Sequence, residues 1–70
     1  MSEHYNALLL NKILSDFQKG EKHKSLKQII QFVDKNPSDN TARYNLALMY
    51  EMMGNINLAI ANYKKVTSND

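Results

Sequence analysis

Seventy residues with no cysteine make one small domain with no disulfide to staple it, and nothing in the composition calls for an oxidising compartment. No apolar run approaches the roughly 20 residues that a membrane span needs. Leu8–Leu9–Leu10 is too short for a signal-peptide core, and Glu3 precedes it where positive charge belongs, so the sequence predicts a cytoplasmic protein. The net charge of +2 is uneven, with six lysines against four acids in residues 1–35. The abundance of Asn, Lys and Ile fits an AT-rich bacterial genome.

Gly20, Pro37 and Gly54 punctuate the chain into four segments. Residues 4–18 read as a helix, because Leu9, Leu10, Ile13, Leu14 and Phe17 recur at three- and four-residue spacing. Residues 22–35 read as a second, with Leu26, Ile29, Ile30, Phe32 and Val33 inward. At Asn36–Pro37–Ser38–Asp39 proline disfavours helix in the residue before it, and Ser38 or Asp39 can cap the next helix. Residues 40–53 form the third, with Leu46, Ala47, Met49 and Tyr50 inward. Residues 56–67 form the fourth, with Leu58, Ala59, Ile60, Tyr63 and Val66 as its apolar positions. Short connections make neighbours antiparallel, and each glycine stands where a helix must stop and the chain reverse. The fold class is all-α: two antiparallel helix-turn-helix hairpins in one domain, residues 1–70.

The interval from Gly20 to Gly54 is a second kind of signal. A fixed period of about 34 residues marks a repeat architecture. Leu46, Ala47, Tyr50, Gly54, Ala59, Tyr63 and Val66 have the types and spacing of the tetratricopeptide repeat, which the chain resembles over nearly its whole length. Pro37 falls where the preceding repeat ends. The second repeat runs over about 40–70. The first, about 6–39, is degenerate: Gly20 and Pro37 hold their places, but Lys12, Ile13, Asp16 and Ser25 depart from the pattern, as a capping repeat can. The resemblance implies a short right-handed solenoid without a C-terminal capping helix.

It also implies a function in protein–protein interaction. First helices of successive repeats line a concave groove in that family. Here they supply Leu10, Leu14, Phe17 and Gln18, then Tyr44, Asn45, Leu48 and Met52. A mostly apolar groove of this kind favours an amphipathic helix or an extended apolar peptide, and Met49, Met52 and Met53 make it adaptable. Asn11 and Asn45 could hold peptide backbone through their amides. Leu10 and Leu14 stand where a carboxylate clamp needs lysine and asparagine, so that mode is excluded. An uncapped last hairpin leaves Ile56, Ile60, Tyr63 and Val66 uncovered. That face predicts self-association as a homodimer or larger homo-oligomer. The alternative is an N-terminal adaptor segment of a larger enzyme, with catalysis outside these residues.

Signals for chemistry fail. His4 and His23 lack a second ligand at helical spacing, no cysteine nucleophile exists, and no glycine-rich phosphate loop is present. No enzymatic activity, cofactor or metal is expected, and Asp16 and Glu21 read as surface charges. Lys19, Lys22, Lys24 and Lys27 cluster with His23, but without an interleaved aromatic platform the cluster reads as a solvated face rather than a nucleic-acid site.

Overall fold

A computed structural model describes residues 3–68. It contains four helices: α1 (Glu3–Gln18), α2 (Lys22–Lys35), α3 (Asn40–Met52) and α4 (Ile56–Ser68). Among the described residues no strand forms. The helices pack α1 on α2, α2 on α3 and α3 on α4, as two hairpins laid side by side. The Cα envelope is a slab of 31 × 31 × 14 Å.

Both hairpins turn by the same backbone device. At the end of α1 the Gly20 N–H donates to Phe17 O at 3.1 Å and the Glu21 N–H to Asp16 O at 3.0 Å. At the end of α3, one period later, the Gly54 N–H donates to Glu51 O at 3.0 Å and the Asn55 N–H to Tyr50 O at 2.8 Å. Each pair is a Schellman motif, which satisfies carbonyls left open at a helix end and needs a positive φ at its glycine. Gly20 has φ +108° and Gly54 φ +84°. Between the hairpins, Asp39 N–H donates to Asn36 O at 3.0 Å. Asp39 then caps α3, accepting from the Ala42 N–H at 3.0 Å. The Asn6 amide donates to Asn36 Oδ1 at 3.2 Å and ties the first turn of α1 to the end of α2.

Three helices make the main core. Leu10, Ile13 and Phe17 of α1, Ile29, Phe32 and Val33 of α2, and Ala42, Leu46 and Met49 of α3 form one buried cluster. Among the described residues α4 adds nothing to that cluster. It lies against α3 through small residues, Ala47 at 0% and Ala59 at 2% exposure, which let two helices approach closely. Leu58 and Ile60 are 43% and 46% exposed, because α4 packs chiefly on one helix and that contact covers only part of its apolar arc. One expectation from the sequence does not hold: Asp16 is 8% exposed, not a surface charge. It occupies the place that Tyr50 takes in the second hairpin, and Lys12 neutralises it at 2.7 Å. The Lys12 ammonium, hydrogen-bonded to it, holds its carboxyl below the usual value against the opposing effect of burial.

Candidate functional site

The groove between the first helices of the two hairpins is built by matched positions. Leu14 and Leu48 are one repeat period apart, as are Gln18 and Met52, so each helix offers the same face to the gap. Leu14, Phe17, Gln18, Asn45, Leu48, Met49 and Met52 line a cavity of about 150 Å³. Phe17 and Met49 are buried and form its floor. Leu14 and Leu48 are half-buried walls. Met52 is 67% exposed at the rim. The Asn45 amide N–H donates to Thr41 O at 2.9 Å, so its oxygen is the group it can offer a ligand.

Two of the residues assigned to this groove from sequence do not line it. Leu10 is 7% exposed in the core. Its edge borders a separate depression, with Ala7, Pro37 and Thr41. Tyr44 turns toward α4, where its ring lies 5.6 Å from that of Tyr63 at 60°. Asn11 is exposed and outside the lining. The reason is geometric. Helical spacing puts residues 10, 14 and 17 on one side, but α2 and α3 divide that side between core and groove.

On α4, Ile56 is 50% and Ile60 46% exposed, while Tyr63 and Val66 are half-buried. Tyr63 Oη donates to Glu51 Oε1 at 2.8 Å. The lysine cluster at the first turn is partly engaged. Lys22 Nζ sits 4.3 Å from the centroid of the Phe17 ring, a cation–π contact, and Lys24 lies 3.9 Å from Glu21. A second cleft, of about 480 Å³, lies between α1 and α2 and was not foreseen from the sequence. Its signal is the set of amides Asn6, Gln28, Gln31 and Asn36, which only the pairing of the two helices brings together.

Among the described residues, no group of three or more His, Cys, Asp or Glu side chains could hold a metal ion. No helix among them is long and apolar enough to cross a membrane. No protein-family model, curated protein or solved structure matches the chain.

Proposed function

We propose that this chain is a protein–protein interaction scaffold of the tetratricopeptide type, working in the cytoplasm. It takes an apolar side chain of a peptide or partner helix into the α1–α3 groove, and it pairs with a second copy through the outer face of α4. The observation that carries the reading is the groove: an apolar gap with a buried floor, half-buried leucine walls and a methionine rim. Its volume suits one bulky aliphatic anchor. The rim methionine lets one surface fit several anchor shapes. The repeated Schellman turns and the period-matched groove positions support the family reading.

Leu48→Asp tests the groove. Leu48 is a half-buried wall, so a carboxylate there spoils an apolar anchor while the core beneath persists. Partner peptides recovered from a displayed random library and measured by calorimetry should lose binding. Circular dichroism should stay helical. Loss of helicity together with binding would make Leu48 a core residue and end the groove assignment.

A further inference from the structure

No residue lining the α1–α3 groove carries a charge. One end of it, where α1 stops at Gln18 and α3 at Met52, meets a different chemistry. The turn after α1 and the start of α2 carry four lysines, Lys19, Lys22, Lys24 and Lys27, against one acid, Glu21. Lys22 is tied to the groove directly. Its Nζ stands 4.3 Å from the centroid of the Phe17 ring, which is part of the groove floor. The ammonium therefore lies one aromatic ring from the gap, inside the screening length of about 10 Å in moderate salt. Lys19 follows Gln18, itself a lining residue.

The acids near this end are committed elsewhere. Asp16 is buried against Lys12 at 2.7 Å. Glu21 lies 3.9 Å from Lys24. Glu51, next to Met52 on α3, accepts from Tyr63 Oη of α4 at 2.8 Å. Among the described residues neither Lys19 nor Lys22 forms a salt bridge, and both are exposed. The C-termini of α1 and α3 oppose the lysines with about half a negative charge each, and Schellman turns answer part of it. Four ammonium groups against one carboxylate and those partial charges leave this end of the groove positive. An ammonium held on a ring keeps its outer side in water, where a carboxylate can add a charge-assisted bond without burying either group.

Resting on the groove reading above, we infer that the partner segment is an acidic peptide. It sets an aliphatic side chain into the α1–α3 groove and places an Asp or Glu carboxylate on Lys22, about one helical turn or two extended residues from that anchor. Lys19 adds to the attraction and speeds the encounter. A basic segment with the same anchor is repelled.

The test selects random linear peptides displayed on phage against the 70-residue chain at low salt and titrates the recovered sequences as synthetic peptides. They should carry Asp or Glu close to a bulky aliphatic residue. Changing that acid to its amide in the peptide should weaken binding about fivefold, the size of one exposed ion pair. Lys19→Gln combined with Lys22→Gln should weaken the acidic peptide about tenfold, leave the amide version nearly unchanged and flatten the salt dependence. Circular dichroism should stay helical, since both lysines are exposed. Leu48→Asn, which alters no charge, should abolish binding of both peptides. Peptides that need Leu48 but carry no acid, or that bind the double lysine variant as well as wild type, would overturn the inference and leave the groove standing. Recovery of no peptide, or of peptides indifferent to Leu48→Asn, would overturn the groove reading and this inference with it. A random single-stranded oligonucleotide that binds more tightly than every recovered peptide, and loses that affinity in the double lysine variant but not in Leu48→Asn, would also overturn it, because the lysines would then serve a phosphate backbone.

Discussion

Tyr63 makes a polar tie between α3 and α4, donating to Glu51 at 2.8 Å. Burial, then the hydrogen bond and charge of Glu51, push its phenol up to about 12. The folded value lies above the unfolded value of about 10. The folded state therefore keeps its proton where the unfolded chain ionises, and the contribution is complete below about pH 10. It is lost as pH rises from about 10 to about 12. Urea titrations across that window should show wild type losing stability more steeply than Tyr63→Phe. At neutral pH the variant should be weaker by about 0.5–1 kcal/mol, since Glu51 is exposed and water competes for it. Parallel curves would mean that the bond is not kept in solution. The aromatic at position 63 was legible from repeat spacing, but its partner was not. Glu51 and Tyr63 meet only once α3 and α4 fix their register. Asp16 shows the reverse difficulty: Lys12 stands one turn before it on the same helix, but its charge argued for solvent and only the packed hairpin reveals that the carboxylate is buried.

At the scale of elements, the helix boundaries were readable because chemistry marks them. Glycine alone tolerates the left-handed backbone that a Schellman turn needs, and proline marks the break between hairpins. A Cβ built on Gly20 or Gly54 would meet nothing within 4 Å, so substitution by alanine costs backbone strain and no clash. Gly54→Ala should cost about 1 kcal/mol. Gly20→Ala should cost more, because φ +108° lies farther than φ +84° from the left-handed minimum near about +57°. Thermal unfolding of the two variants checks the order, and equal melting temperatures would show that the turns relax to the same angle. What the pattern did not disclose was coverage. An apolar stripe says that a helix has a face to bury, not which neighbour buries it. Leu58 carries the same apolar signal as Ala59, yet α3 reaches only Ala59 and its flank.

Across the whole molecule, a shift of one repeat period maps a covered face onto a bare one. Leu10 at 7% exposure corresponds to Tyr44 at 48%, and partly buried Leu26 to Ile60 at 46%. In the first hairpin α3 provides the cover, through Ala42, Leu46 and Met49. A second copy cannot repeat that contact head to tail. The counterparts of those three residues on α1 are Leu8, Lys12 and Ser15, all exposed. Stacking them on α4 would bury the Lys12 ammonium and disturb its bond to Asp16. Two α4 faces meeting about a two-fold axis avoid this, because Ile56 and Ile60 then cover each other and the assembly closes. Sedimentation at tens of micromolar should accordingly give a dimer. Ile56→Ser combined with Ile60→Glu should give a helical monomer, since both side chains are about half exposed and outside the core cluster. Amide exchange adds a readout that does not depend on mass. Protection across α4 should rise with protein concentration in wild type and not in the double variant. A wild-type monomer whose α4 exchanges at the same rate at every concentration would remove the self-association proposal, because the bare face would then be tolerated by water and not covered by a second copy.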